Sequence, residues 1–225
     1  LRGRFPQSIL LTGPKGIGKM TAARVLTMAL MCEGTGEKPC GQCAACRKVE
    51  QNNHSDVTCI DLGDAEIKVD TARRIRSECA VYPGDSDRRI FLIRHAQNMN
   101  AAAQNALLKL LEEPPEYAFF LLMTENESAI LPTILSRCTQ YALVPLDRGS
   151  VLHLLRQRYP EKDAAVLQSA AAGCQGIAGD AIAALSEEAE EITQLAGEFL
   201  RALDSKNELR LLEAAEHCSG LSRQQ

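Results

Sequence analysis

The sequence predicts an α/β fold with a parallel sheet over residues 1–147, followed by an all-helical region. Three observations carry this reading. Short apolar runs alternate with longer helical patterns along the first part of the chain. Several of those runs are apolar throughout, as strands covered on both faces are. After Pro145 the character changes to short helical segments separated by glycines.

Taken in order, Ser8–Thr12 (SILLT) is a short apolar strand ending at a glycine. Lys19–Met31 reads as a helix with Ala22, Val25, Leu26, Ala29 and Leu30 on one side. Val57–Leu62 alternates apolar and small residues as a strand, and Val69–Ala80 has helical spacing through Ala72, Ile75 and Cys79. Arg89–Ile93 (RIFLI) and Ala118–Met123 (AFFLLM) are buried strands, and Thr139–Leu143 is a further short one. Asn100–Glu113 is a helix whose apolar face is Ala106, Leu107, Leu110 and Leu111, stopped by Pro114-Pro115. Three helices are expected over Ser150–Arg158, Asp163–Gly173 and Ile177–Glu188, and two more over Glu190–Leu203 and Glu208–Cys218. The chain starts a few residues before its first strand and ends in Ser-Arg-Gln-Gln, so truncation at both ends is expected.

The 225 residues suffice for one large domain or two small ones, and a 45 % hydrophobic content supplies a core. With 25 basic and 29 acidic residues the net charge is −4, which argues against holding nucleic acid by bulk positive charge. A local basic patch stays open; Arg73, Arg74, Arg76, Arg88 and Arg89 could face DNA or a partner, or simply be solvated element ends. No apolar run approaches the roughly 20 residues that span a bilayer, and no signal peptide is visible. Nine cysteines without a secretory signal point to a reducing compartment, where clustered cysteines read as metal ligands before disulfides.

Gly13, Pro14, Lys15, Gly16, Ile17, Gly18 and Lys19 form a GxxxxGK loop between a strand and a helix. Its glycines let successive N–H groups point at one phosphate, the helix N-terminus adds positive potential, and Lys19 can reach the outer phosphates. The next position calls for a hydroxyl to bind Mg²⁺. Met20 stands there instead, and a thioether is a poor ligand for a hard cation. Thr21 comes one residue late and is expected to point elsewhere. The strand that should end in acids to hold metal and polarise water ends in Arg94-His95. A glycine-rich turn without ligand is the plain alternative for this loop.

Cys32, Cys40, Cys43 and Cys46 form C-x7-C-x2-C-x2-C, with Gly34, Gly36, Pro39 and Gly41 between them. Four thiolates suit a closed structural Zn²⁺ site, and an iron–sulfur cluster uses the same ligand type. His54 is close enough in sequence to substitute but reads as a surface histidine. Cys59, Cys79, Cys174 and Cys218 read as small core residues.

Two further stretches are Gln104–Pro115 (QNALLKLLEEPP) and Leu131–Cys138 (LPTILSRC). With the phosphate loop and the cysteine insert, these motifs resemble the bacterial DNA polymerase III clamp-loader subunits. Those are AAA+ ATPases related to the smaller subunits of replication factor C, and the resemblance covers residues 5–190. It implies an AAA+ core over 1–147 with a zinc module over 32–46, a three-helix lid over 148–188, and the start of a helical collar over 189–225. It also implies that Arg137 is an arginine finger projecting into a neighbour's ATP site, and that Thr124 sits at the family's polar sensor position. Glu112 and Glu113 are expected to form a solvated or interface helix end.

Within the family, tau/gamma subunits are motors, and delta-prime subunits have usually lost hydrolysis. Met20, Arg94-His95 and Gly179 of the Gly176–Ala181 lid motif, where an arginine would sense the γ-phosphate, all depart from the motor pattern. The resemblance therefore favours the delta-prime type. That type is a stator in a hetero-pentamer with tau/gamma and delta subunits, which places the sliding clamp on primed DNA in the bacterial cytoplasm. Structural Zn²⁺ is the implied cofactor, with ATP and Mg²⁺ in question, and the chain has no hydrolysis of its own within a DNA-directed DNA polymerase (nucleotidyltransferase) holoenzyme. The rival reading is a tau/gamma-type motor with atypical sites. A zinc-dependent DNA-binding module is a third, disfavoured by the −4 charge.

Overall fold

A computed structural model describes residues 5–186. The expected helices at 190–203 and 208–218, the collar at 189–225 and Cys218 lie outside the described residues, as do the last two positions of the expected lid. The chain divides into two compact units at the Val144–Pro145 junction.

The first unit is built on five parallel strands in the order β2-β3-β4-β1-β5. They are β1 (Ser8–Thr12), β2 (Val57–Ile60), β3 (Arg89–Ile93), β4 (Ala118–Thr124) and β5 (Thr139–Ala142). Parallel pairing requires crossovers, and helices α1 (Lys19–Met31), α2 (Ala44–Glu50), α3 (Val69–Cys79), α4 (Ala101–Glu112) and α5 (Pro132–Leu135) lie in the connections. Alternate side chains of β1, β3 and β4 feed two separate cores, whereas β5 is exposed. Leu10, Ile60, Phe91, Ile93, Phe120 and Leu122 pack with α3, α4 and α5. Ile9, Leu11, Ile90, Leu92, Phe119, Leu121 and Met123 pack with α1 and α2. Phe91 and Phe120 stack at 5.2 Å between centroids across β3 and β4.

Several sequence expectations need correction. The buried face of α1 is Ala23, Thr27, Leu30 and Met31, and Val25 is 46 % exposed. Thr27 conceals that face in the sequence, because its hydroxyl is satisfied internally by donating to the Ala23 carbonyl at 2.8 Å. Helix α2 was not foreseen. It starts inside the cysteine cluster, where Cys43 caps it by accepting the Cys46 N–H. Strand β2 stops at Ile60, since the Asp61 carboxylate accepts from Gly63, whose φ of 58° turns the chain. Cys59 is exposed on this edge strand rather than in the core. His54 is buried rather than on the surface, and its Nδ1 accepts the Asp56 N–H. Helix α4 keeps Leu107 and Leu111 on its buried face with Ala103 and Gln104, while Ala106 and Leu110 are only partly buried. It begins at an Asn100 cap and ends at Glu112, two residues before Pro114.

Two polar side chains organise the loops of this unit. The buried Gln104 amide donates to the carbonyls of Met99 and Ala129, and its oxygen accepts from Leu131 N–H at 2.8 Å. This ties the segment before α5 to α4. The buried Asp56 carboxylate accepts N–H groups of Gly84, Asp85 and Ser86 at 2.8–2.9 Å, and the Ser86 hydroxyl. It thereby shapes the approach to β3.

The second unit contains α6 (Arg148–Arg158), α7 (Ala164–Gly173) and α8 (Ala178–Ala183) around Val151, Leu155, Leu167, Ala171, Cys174, Ala181 and Leu185. Asp147 and Asp163 cap α6 and α7. Gly176 has a φ of +83°, and a Cβ there would lie 2.3 Å from the Leu146 carbonyl oxygen, so no other residue fits without rearrangement.

Burial would raise the pKa of Asp56, but the N–H donors of Gly84, Asp85 and Ser86 outweigh it and hold the carboxyl below the ordinary range. A depressed folded value stabilises the fold above the unfolded carboxylate pKa of about 3.9, and that contribution is lost as pH falls through the lower folded value. The stability gap between wild type and Asp56→Asn is therefore expected to be full above about pH 4 and to close at lower pH. Denaturant titrations across that range measure it; a gap independent of pH would remove Asp56 from this role.

Candidate functional site

The ends of β1, β3 and β4 meet at one cleft because register places them there. Thr12 pairs with Thr124, and Leu10 with Leu122, which in turn pairs with Ile93. In parallel α/β sheets ligands lie at these C-terminal strand ends. The cleft has a volume of about 410 Å³ and is bordered by Lys15, Gly16, Gly18, Lys19, Met20 and Thr21 of the glycine loop and α1. Opposite them stand Gly63, Asp64, Arg94, His95, Gln97, Met123 and Glu125.

The glycine loop divides its work. Gly16 and Gly18 take left-handed φ values of 78° and 102°. Ile17 is buried, anchoring the loop against Gly13, whose backbone abuts Leu143. The Gly13 and Pro14 carbonyls accept hydrogen bonds from Lys19 Nζ at 2.7 and 2.8 Å. Lys19 also pairs with Glu125 at 3.7 Å. Burial lowers the Lys19 pKa against the opposing effect of Glu125. Glu125 was missed in the sequence. Its signal was its place directly after the β4 strand end, beside the glycine loop.

Thr21 borders the cleft after all, together with Lys19 and Met20 at the start of α1. Thr124 does not border it. Its hydroxyl is buried between the Gln97 side chain at 3.0 Å and the Asn126 backbone. The turn after β3 thus holds the end of β4. Arg94, at the end of β3, pairs with Asp61, and His95 Nε2 lies 3.9 Å from the same carboxylate. His95 has a left-handed backbone, φ 50°, at the start of the 96–98 turn. No acid of the β3 end faces the loop; the carboxylates on the cleft are Asp64 and Glu125.

Cys32, Cys40, Cys43 and Cys46 converge, with all four sulfurs within 4.8 Å of one another. Tetrahedral zinc with bonds of about 2.3 Å requires sulfur separations of about 3.8 Å, so these ligands fit with a small contraction. Backbone N–H groups of Gly34 and Cys40 point at Cys32 Sγ, that of Cys43 at Cys40 Sγ, and that of Cys46 at Cys43 Sγ, each at 3.4 Å. Such donors stabilise thiolates. The Cys46 and Glu33 N–H groups draw Cys43 down to about 6, while burial and the adjoining thiols push Cys46 up to about 12. A Cβ on Gly34 would press on Cys40 and Cys32 at 3.1–3.4 Å. His54 is outside this group.

Arg137 follows α5, about one-third exposed. Its Nη2 pairs with Glu112 at 2.5 Å, and its Nη1 donates to the Thr133 carbonyl and the Ser136 hydroxyl. Glu112 therefore has a specific partner, which its solvated-end reading did not foresee. Of the basic residues considered for DNA, Arg88 donates to the Leu30 carbonyl and lies over Phe119, and Arg89 donates to the carbonyls of Glu78 and Val81. Arg73 and Arg74 pair with Asp70 and Glu78 on their own helix.

A family profile described as DNA polymerase III, delta subunit matches residues 1–147. DNA polymerase III subunit tau of Escherichia coli (strain K12) is 34 % identical over 228 residues, covering 97 % of this chain and 35 % of that protein. The DNA polymerase III subunit delta' of Bacillus subtilis (strain 168) is 34 % identical over 150 residues, covering 67 % of this chain and 46 % of that protein. The chain thus spans between a third and a half of the length of these curated relatives. Among solved structures, the Thermotoga maritima RuvB Holliday junction branch migration motor superposes with a TM-score of 0.52 at 16 % identity, over 93 % of this chain and 61 % of that one. That likeness shows a shared fold.

Two predictions come from the site. Glu125→Gln is expected to tighten binding of ADP about two- to five-fold, because Lys19 loses a partially exposed competing carboxylate. Calorimetry measures this, and unchanged or weaker binding would show that Glu125 does not compete. Gly34→Ala is expected to lose bound metal to a chelator faster than wild type. Equal rates would mean that the sulfur cradle tolerates the extra methyl.

Proposed function

The chain belongs to the DNA polymerase III clamp-loader family, and from that premise we propose that it is a delta-prime-type subunit, one that hydrolyses no ATP and lends Arg137 to a neighbour. The carrying observation is the end of β3. Arg94 and His95 stand there, joined to Asp61, where hydrolysis needs a carboxylate for Mg²⁺ and another to polarise water. Met20 removes the hydroxyl ligand on the facing helix. Gly179 removes the expected γ-phosphate sensor of the second unit.

In this reading the glycine loop is a structural inheritance. Backbone N–H groups of residues 15–19 and Lys19 retain the means to hold a phosphate, but the end of β3 carries no acid to activate water. Arg137 acts in the neighbour's site. A guanidinium beside the γ-phosphate offsets the charge that spreads over the equatorial oxygens during transfer. The four cysteines would hold Zn²⁺, which when bound supplies a fixed cross-link for the segment between α1 and α2 and no open coordination position. The subunit would serve as the rigid member of a five-subunit ring with tau/gamma and delta, which opens the sliding clamp and places it on primed DNA in the bacterial cytoplasm. The described helices include none long and apolar enough to cross a membrane.

The tau/gamma motor reading is favoured by matches to several tau and gamma/tau subunits, one of them along 97 % of the chain. It requires Thr21 and an acid such as Glu125 or Asp64 to replace the missing ligands.

Phosphate release from Mg-ATP decides between them. The chain alone is expected to hydrolyse none. In a ring whose sole competent ATP site is the one facing this subunit, Arg137→Ala is expected to slow hydrolysis about 10³-fold or more. Hydrolysis by the chain alone that Lys19→Ala abolishes would establish the motor reading instead.

A further inference from the structure

The two family motifs, QNALLKLLEEPP and LPTILSRC, meet in one ion pair. Glu112 Oε1 lies 2.5 Å from Arg137 Nη2, with 43 % and 32 % of the respective side chains exposed. The other terminal nitrogen, Nη1, is turned back toward α5 and its end, donating to the Thr133 carbonyl at 2.7 Å and the Ser136 hydroxyl at 3.2 Å. Every one of these contacts is within the chain. A guanidinium so bound is retracted, and its charge is balanced.

The backbone beneath it is fixed. Gln104 joins α4 to the segment entering α5 by two hydrogen bonds, to the Ala129 carbonyl and from the Leu131 N–H. Ile134 and Cys138 are buried in the same core as Leu107 and Leu111. Only the arginine side chain needs to move for the guanidinium to extend outward.

We propose that Glu112 is a positioning residue that holds Arg137 in reserve, releasing it only when the more highly charged γ-phosphate of a neighbour's nucleotide draws it away. This rests on the reading of Arg137 as an arginine finger. A single exposed carboxylate pairs weakly, whereas a triphosphate concentrates several negative charges on oxygens suited to a guanidinium fork. The contact therefore withholds the finger from an empty or diphosphate-bound neighbour and yields it to a triphosphate.

The test uses the full chain assembled with its partner subunits, in a ring where the facing ATP site alone is competent. Glu112→Gln is expected to raise kcat at that site about two- to five-fold, with KM for ATP unchanged. The advantage is expected to shrink as salt is raised, because screening loosens the wild-type pair. A merely structural role for Glu112 would lower thermal stability and leave kcat level or reduced, and that result overturns the proposal. Glu112→Asp, which keeps the charge on a shorter arm, is expected to give a smaller gain, and no gain with either variant likewise overturns it. Arg137→Ala separates the two readings. If it leaves hydrolysis unchanged, the finger assignment fails and this inference with it. If it slows hydrolysis while Glu112→Gln gives no increase, only the reserve fails.

Discussion

Strand β4 is buried along all seven of its residues and is paired on both sides, to β1 and to β3. A parallel strand in that position has little freedom of register, since a one-residue slip would exchange Phe120 and Leu122 with Phe119 and Leu121 between two differently shaped cores. That constraint sets Thr12 level with Thr124, and the end of β3 at Ile93 beside Leu122, two residues back, at one end of the sheet. The glycine loop, the Arg94-His95 pair and Glu125 all emerge from those three strand ends, so the cleft exists because β4 is fixed.

Two of the cations bordering the cleft are held in ion pairs. Lys19 faces Glu125, and Arg94 faces Asp61. A hydrolytic site keeps its cations free for phosphate and its acids free for metal and water. Here Lys19 and Arg94 are each answered by a neighbouring carboxylate. Arg137 shows the same economy of charge at the far end of α4, where its partner is Glu112.

The strands and long helices of the first unit were legible because both rest on local pattern. RIFLI and AFFLLM have no interpretation other than buried strands, and Asn100 and Pro114 mark the limits of α4. Thr27 defeated the reading of α1, because a hydroxyl that bonds its own turn looks polar in sequence and behaves as buried in structure. The short helix α2 was hidden because its cap is a cysteine, a residue read for metal rather than for capping. In the site, the sulfur cluster was legible from spacing alone. Glu125, Gln97, Gln104 and Glu112 were not, since each acts on a partner 25 or more residues away in sequence, a relation set by topology. Thr124 was legible as a strand end, but its hydrogen bond to Gln97 and the approach of Glu125 to the cleft depend on topology.

The division of the sheet's side chains between two cores has an evolutionary meaning. The α1 helix and the cysteine segment rest on the layer of Ile9, Leu11 and Leu121, whereas α4, α5 and the arginine beyond them rest on the layer of Leu10, Phe120 and Leu122. Substitutions in layers that share few contacts act nearly independently. A gene copy could thus accumulate changes on one side of the sheet, discarding chemistry there, while selection on the opposite side preserved an intact edge for its companions. Duplicated subunits of a ring can in this way specialise as users or as helpers of the same nucleotide without acquiring a new fold.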